Sequence, residues 1–204
     1  MINFNLIQHK YLNSIRISKH KNDHNAGFSL IELLVVILMV GVLAAIAAPS
    51  WQTFTTRQRI KSVNTQILQA IKTTQAEAKR NKSDYVLGFN TGDDPPTYSI
   101  YKKGTPPPPQ PQSLSLDGAI KENMLKIYSQ ADGKVQNTIT FDNLGTVKDP
   151  ALNQSTPPVA TDGFSVVVYP KDSPNSRNCI IVQTILGATR TAEGTDAKGC
   201  PTPP

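Results

Sequence analysis

Histidine is missing from most of this 204-residue chain. All three histidines, His9, His20 and His24, lie in the first 27 residues. The remainder therefore has no histidine for a nucleophile–His–acid triad, for a histidine-based metal site or for the commonest general base. No metal-ligand set and no nucleophile motif takes their place. The sequence accordingly predicts a protein that is not an enzyme and that has no metal and no cofactor.

Charge is missing from the apolar run between Leu33 and Ala48. The segment from Phe28 to Ala48 has 21 residues. As a helix it would be about 30 Å long, which is the thickness of the hydrocarbon core of a bilayer. Small residues that let another helix approach closely recur in it at spacings of three and four, namely Gly41, Ala44, Ala45 and Ala48. Residues 28–48 are therefore predicted to form a transmembrane helix.

Glu32 is the single charged residue in this segment. An acid in a spanning helix costs about 1–3 kcal/mol unless it is paired or lies near the interface. A cut between Gly27 and Phe28 would place a new amine on Phe28 in the same membrane layer, where Glu32 of a neighbouring copy would neutralise it. The alternative interpretation is that Glu32 simply extends to the lipid head groups.

The residues from Gly27 to Ser50, GFSLIELLVVILMVGVLAAIAAPS, resemble the processing and methylation motif of type IV prepilins and pseudopilins. By this resemblance Gly27 precedes the prepilin-peptidase cut, Phe28 becomes the N-methylated first residue, and Glu32 guides subunits into the filament. Pro49 falls where such pilins often carry a helix-kinking proline. The resemblance implies as partners other pilins or pseudopilins, a prepilin peptidase, and an inner-membrane assembly platform with its ATPase.

Residues 1–27 are predicted to be a cytoplasmic leader peptide that is cleaved off. They hold four basic residues and one acidic residue, and positive charge keeps that end of a spanning helix in the cytoplasm. The small-residue site lies before the apolar run, so the anchor would be retained, unlike a Sec-type signal peptide. Loss of the leader lowers the formal charge from +6 to +3. The predicted location is the inner membrane, crossed once, with a periplasmic globular domain that later joins a pilus or pseudopilus filament.

Glycine and proline are both missing between Ser50 and Asn81. Residues of an apolar face recur there at spacings of three and four, namely Ile60, Val63, Ile67, Ile71, Thr74 and Ala78. This pattern predicts an amphipathic continuation of the helix over residues 49–82, with its apolar face packed on a sheet.

The other face of this predicted helix is basic and carries Arg57, Arg59, Lys61, Lys72, Lys79, Arg80 and Lys82. The main interpretation is a solvated face, or one paired with acids of the next subunit. The alternative is binding to phosphates or membrane head groups. Residues 57–61, just outside the anchor, are best explained as contacts with lipid head groups.

Residues 83–204 are predicted to form a β-rich globular domain. Five β-prone runs between turn residues predict antiparallel strands at Tyr85–Phe89, Tyr98–Tyr101, Thr138–Phe141, Phe164–Tyr169 and Cys179–Ile185. The proline-rich loop at residues 104–112 predicts an exposed polyproline linker, with partner recognition as the alternative. The predicted fold is α+β and pilin-like: a long N-terminal helix with a membrane half and an amphipathic half, packed on an antiparallel β-sheet domain.

The segment ITFDNLGTV, residues 139–147, resembles the F-x-x-x-G hairpin of the H-class pseudopilins (GspH) and of the related FimT-like minor pilins. The helix end QAEAKRN at residues 75–81 and the late strand at residues 180–182 support the same resemblance. The chain is therefore interpreted as a minor pilin or H-type pseudopilin, a structural subunit of a type IV pilus or a type II secretion pseudopilus.

Cys179 and Cys200 are the only cysteines, and both lie in the part predicted to be outside the cytoplasm. Disulfides form in such compartments. A bridge would close a loop of about 20 residues and would stabilise the fold by roughly 3 kcal/mol on the chain-entropy model. The alternatives are two free thiols or a bridge to another subunit.

Arg177, Arg190 and Lys198 lie in or just before this cysteine loop. DNA-binding minor pilins of the FimT-like type carry a G-R-x-R segment near this place. The corresponding segment here is Gly187-Ala188-Thr189-Arg190, which lacks one of the two arginines. DNA binding in DNA uptake through these three residues is therefore the alternative function.

Overall fold

The computed structural model describes residues 28–115, 120, 122–152, 163–194 and 199–203, without the side chains of residues 48–50. The predicted leader, Gly27 and Lys198 lie outside the described residues. The chain divides into two compact units, one that ends at Ile46 and one that begins at Ala47. A single helix, α1 (Leu30–Arg80), contributes to both.

The first unit contains the apolar half of α1. Its large hydrophobic side chains, from Phe28 to Ile46, are all between 43% and 84% exposed. By length and composition this is the one helix of the described residues that is suited to cross a membrane. A helix that is apolar on every side requires a cover of lipid or of other helices. The prediction of an apolar N-terminal helix is therefore confirmed.

The second unit contains two five-stranded antiparallel sheets in the described residues. The strands are β1 (Tyr85–Asn90), β2 (Thr97–Lys102), β3 (Gln112–Ser113), β4 (Leu125–Ala131), β5 (Lys134–Val135), β6 (Thr138–Phe141), β7 (Val147–Asp149), β8 (Phe164–Pro170), β9 (Asn178–Val182) and β10 (Thr189–Glu193). The first sheet has the order β3-β2-β1-β6-β7, and the second has the order β10-β9-β8-β4-β5.

One hydrophobic core joins the helix to both sheets. The apolar stripe of α1 is buried, as its spacing predicted, at Ile60, Val63, Ile67, Ile71, Thr74 and Ala78. The same cluster includes Leu87 and Phe141 from the first sheet and Phe164 from the second. The α+β fold, with its helix packed on antiparallel sheets, is therefore confirmed.

Strand β8 is buried on both of its faces. Val166 and Val168 belong to the main core, whereas Val167 lies on the opposite face with Cys179, Ile181 and Cys200. Successive side chains of a strand point to opposite faces, so a strand covered on both sides is apolar throughout. This accounts for the uninterrupted valines of its sequence, and it places the C-terminal residues over the outer face of the second sheet.

The strand predictions need two corrections. The predicted strand Cys179–Ile185 ends at Val182, because Ile185 lies in an exposed turn whose carbonyl accepts a hydrogen bond from Val147 N at 2.6 Å. Strands β3, β4, β5, β7 and β10 were not among the predicted strands. The proline-rich segment is exposed from residue 104 to residue 111 as expected, but Gln112 begins β3.

Candidate functional site

The start of α1 is capped by Ser29. The Ser29 hydroxyl accepts a hydrogen bond from Glu32 N, and the Ser29 carbonyl accepts one from Leu33 N, both at 3.2 Å. Serine followed three residues later by glutamate is the capping-box sequence, and an acid in the first turn also interacts favourably with the helix dipole. Ser29 therefore caps the helix, and Glu32 adds a favourable negative charge in its first turn. Its spacing from Ser29 was visible in the sequence, but the prediction did not use it.

Glu32 is exposed and has no ion-pair partner among the described residues of its own chain. The ion pair predicted between Glu32 and the Phe28 amine of a neighbouring subunit therefore stays a prediction. Pro49 lies within the bounds of α1, but its side chain is outside the described residues, and the kink assigned to it stays a prediction.

The F-x-x-x-G segment forms the tight turn between β6 and β7. The Asp142 carboxylate closes this turn by accepting hydrogen bonds from Leu144 N at 3.0 Å, from Thr146 N at 2.7 Å and from the Thr146 hydroxyl at 2.6 Å. Gly145 has a φ of +79°, which an L side chain rarely adopts. Phe141 is completely buried in the core. The motif thus combines a phenylalanine that anchors the turn in the core with a glycine that the turn conformation requires.

Gln75 of α1 holds this turn against the helix. Its side-chain amide donates hydrogen bonds to the carbonyl of Gly145 at 2.7 Å and to that of Leu186 at 3.1 Å. Because Leu186 belongs to the turn between β9 and β10, one side chain connects the helix to both sheets. Sequence reasoning missed Gln75, since a glutamine on an amphipathic helix carries no signal of such a bridge.

Asp142 makes the stability of this turn dependent on pH. The hydrogen bond from the Thr146 hydroxyl, with those of the backbone N–H groups, holds the pKa of the Asp142 carboxyl below its ordinary value, although partial burial opposes this. A depressed folded pKa means that the stabilisation is present above the unfolded pKa of about 4 and is lost as the pH falls through the folded pKa.

Asp142→Ala is expected to lower the free energy of unfolding by about 1–3 kcal/mol at pH 7, because three hydrogen bonds to a carboxylate are lost. Urea unfolding at pH 7 and at pH 3 measures the effect, and the difference from wild type should shrink at pH 3. The matched control is Asp172→Ala at an exposed acid. A difference that is the same at both pH values would contradict the role of the ionised carboxylate.

Cys179 and Cys200 form a disulfide, with their Cα atoms 5.6 Å apart, as the sequence predicted. Both cysteines are buried and pack with Val167 and Ile181 on the outer face of the second sheet. The bridge therefore attaches the C-terminal residues to β9, on the outer face of that sheet.

Replacement of both cysteines by serine is expected to lower the free energy of unfolding by roughly 3 kcal/mol, since the unfolded chain regains the freedom of the loop. Urea unfolding with and without reductant measures this loss. Reductant should destabilise the wild type and leave the double variant unchanged. Equal midpoints for the oxidised wild type and the variant would refute the contribution.

The residues predicted to contact DNA are not presented together on the described surface. Arg177 is only 4% exposed, and its guanidinium donates to the Pro174 carbonyl at 3.5 Å and to the Thr202 hydroxyl at 3.3 Å. Arg177 is therefore not part of the open surface. Arg190 is half-buried on β10, where it pairs with Ile181 in register, and Lys198 is not described. DNA binding stays a prediction without support from the positions of the two arginines.

The basic face of α1 is largely exposed, as predicted, but some of its members have partners within the chain. Arg80 pairs with Glu77 at 2.7 Å, and Lys61 lies 3.9 Å from Glu193. Exposed pairs of this kind contribute little to stability. The charges of this face are therefore available for interactions outside the chain.

Comparison with known proteins places the chain in a family. Residues 22–48 match the family model for the prokaryotic N-terminal methylation motif. A fimbrial protein of Pseudomonas aeruginosa is 30% identical over 115 residues, which cover 56% of this chain and 67% of that protein. This chain belongs to the type IV pilin and pseudopilin family. Members of the family are structural subunits and not enzymes, in agreement with the expectation from the missing histidines.

Other pilins match shorter parts of this chain. The type IV major fimbrial protein FimA of Dichelobacter nodosus is 40% identical over 68 residues, or 32% of this chain and 43% of FimA. The chain spans less than half of the length of FimA and of two further relatives. A crystal structure of the minor pilin FimU of Pseudomonas aeruginosa aligns with a TM-score of 0.49 at 12% identity, over 72% of this chain and 96% of that one.

Proposed function

We propose that this chain is a minor pilin or H-type pseudopilin, a structural subunit of a type IV pilus or a type II secretion pseudopilus. A prepilin peptidase cuts it after Gly27 and methylates Phe28, residues 28–48 hold it in the inner membrane, and it is then drawn into a filament. The observation that carries this proposal is the apolar first half of α1, which is exposed on all sides and has a single acid in its first turn.

The exposed segment supports assembly because none of the described residues of its own unit covers it. Fourteen large hydrophobic side chains, from Phe28 to Ile46, remain accessible. Lipid covers such a surface before assembly, and helices of neighbouring subunits cover it afterwards. Transfer from lipid to a helical bundle exchanges one apolar environment for another. The apolar residues therefore do not fix the axial position of the incoming subunit, and the charged Glu32 does.

Glu32 selects the axial position of the subunit through its charge. The amine of a mature Phe28 and the carboxylate of Glu32 on a neighbour attract each other strongly in the low-dielectric filament core. An unpaired acid at that depth is unfavourable, so a subunit with the wrong axial position is rejected. The partners of this process are other pilins or pseudopilins, the prepilin peptidase, and the assembly platform with its ATPase.

The F-x-x-x-G turn supports assignment to the H-type and FimT-like group. Its phenylalanine is a core anchor and its glycine carbonyl is bound by Gln75 of the helix. The second unit, with its two sheets packed on α1, would lie on the outside or at the tip of the filament. DNA uptake receives no comparable support, because Arg177 lines a cleft with Arg57 and Lys61 and not with Arg190.

The test is the mass of the intact chain and of its N-terminal peptide, produced with and without the cognate prepilin peptidase. A mature chain that begins at methylated Phe28, seen only with the peptidase, is the expected result. A chain that keeps residues 1–27 under both conditions would overturn the proposal.

Glu32→Gln separates processing from assembly. Glutamine preserves the length and the capping ability of the residue at this position of the helix while it removes the charge. We expect this variant to be cut normally but to be lost from purified filaments, whereas Glu77→Gln, which changes an acid outside the apolar segment, should be incorporated. Incorporation of Glu32→Gln at the wild-type level would refute the assembly role of the acid.

A further inference from the structure

A cleft of about 390 Å³ lies in the second unit, between α1, the turn before β9, and the end of β10. Three cations line it: Arg57 and Lys61 from the helix, and Arg177 from the turn. Glu193 is its one acid. The function proposed above uses none of these residues.

Arg177 is the unusual member of this cleft. The side chain is 4% exposed, and its Nε has no hydrogen-bond partner. Its two other nitrogens donate only to neutral oxygens, at 3.5 Å and 3.3 Å. No carboxylate of the described residues lies within salt-bridge distance of it. A buried guanidinium without a negative partner is strongly unfavourable, and the described residues supply no such partner, so an anion bound in the cleft would stabilise it.

Glu193 does not fill this role. Its carboxylate is at the rim, 65% exposed, where it accepts a hydrogen bond from the Asn178 amide at 3.1 Å and lies 3.9 Å from Lys61 Nζ. The lining keeps an excess of positive charge even when this acid is counted. Guanidinium groups bind phosphate oxygens in a forked geometry that suits them better than most other anions.

The surroundings of the cleft indicate where such a phosphate comes from. Trp51 and Phe54 precede Arg57 and Lys61 on α1 at spacings of three, three and four, so all four lie along one side of the helix. The two aromatic side chains are 68% and 54% exposed, with ring centroids 6.1 Å apart. Exposed aromatic residues followed by basic ones are typical of a protein surface that contacts the membrane interface.

We propose that this cleft binds the phosphate of an anionic phospholipid head group. The inference rests on the membrane anchoring in the proposed function, since anchoring keeps the helix at the lipid surface. Arg57 and Lys61 attract the head group, and Arg177 holds one phosphate at the base of the cleft. The bound lipid would fix the orientation of the second unit before the subunit enters a filament.

Native mass spectrometry of the full chain in a neutral detergent tests this site, with short-chain phosphatidylglycerol, short-chain phosphatidylcholine and inorganic phosphate as separate probes. We expect one phosphatidylglycerol per chain, bound about tenfold more tightly than phosphatidylcholine. The double variant Arg57→Gln, Lys61→Gln should lose about tenfold in affinity for it, and Arg177→Gln at least as much. Lys72→Gln, an exposed cation of the same helix outside the cleft, should bind as the wild type does.

The double variant keeps the test decisive if Arg177→Gln does not fold, because Arg57 and Lys61 are exposed. Equal binding of the two lipids, or binding unchanged in the double variant, would overturn the proposal. Inorganic phosphate bound as tightly as phosphatidylglycerol would overturn the lipid source. A mobility shift of a DNA oligonucleotide that weakens steeply with salt and depends on Arg177 would assign the cleft to nucleic acid instead.

This measurement uses the uncut chain and needs no peptidase. A chain that is never cut but selects phosphatidylglycerol would refute the filament function and leave the head-group site. A chain that is cut and methylated but does not distinguish the lipids would refute the site alone.

Discussion

Phe141→Ala lowers the free energy of unfolding by about 3–5 kcal/mol, the expected cost of removing a large aromatic side chain from a closed core. Phe141 is completely buried at the end of β6, within the cluster that joins α1 to both sheets. The surrounding strands are paired on either side of it and cannot collapse into the space left behind. Most of the lost contact area would therefore remain as a cavity.

Urea unfolding of the detergent-solubilised full chain, followed by near-ultraviolet circular dichroism, measures this loss. The control is Leu144→Ala, three residues away in the same turn, where the side chain is 71% exposed. A change within about 0.5 kcal/mol is expected there. Similar losses at the two positions would mean that Phe141 is not the core anchor of the F-x-x-x-G turn.

Gly163→Ala is expected to lower the free energy of unfolding by about 2–4 kcal/mol, through two effects that add. The φ of +79° at Gly163 is unfavourable for any L side chain. In addition, a Cβ at this position would overlap the carbonyl oxygen of Val182. Val182 pairs with Phe164 in the centre of the second sheet, so this carbonyl cannot move without displacing β9.

Gly133→Ala separates the two effects. Gly133 has a φ of +77°, nearly the same as that of Gly163, but a Cβ there would meet no atom within 4 Å. Its replacement is expected to cost about 1 kcal/mol, the conformational part alone. The difference between the two variants, measured by urea unfolding, is the steric part. Equal losses would show that the close approach of Val182 has no energetic consequence.

The helix was predictable because its signal is local and repeated. An apolar run without charge, followed by apolar residues at spacings of three and four, fits few structures other than a helix. The stripe from Ile60 to Ala78 is buried as expected. Strand β6 was predicted with its exact bounds, since β-branched and aromatic residues stand there between clear turn signals.

Strands β4 and β10 were not predictable in the same way. Ser129 and Gln130 of β4 are polar yet buried, and β10 has the sequence TRTAE, without an apolar face. Both form because a neighbouring strand offers hydrogen-bonding groups: β8 pairs with β4 over seven residues and β9 pairs with β10 over five. Backbone pairing of this kind depends on the strand that lies beside the segment, and the local sequence pattern carries no information about that strand.

The sequence by itself determined the apolar anchor with its lone acid, the processing motif, the amphipathic stripe and the two cysteines, because each depends on residue type and on short spacing along the chain. Only the tertiary structure decided that Gln75 joins the helix to both sheets, that Arg177 is buried beside Arg57 and Lys61, and that Gly163 lies against Val182. These contacts join residues that are far apart in the chain, and long-range packing sets them after the sheets have closed on the helix.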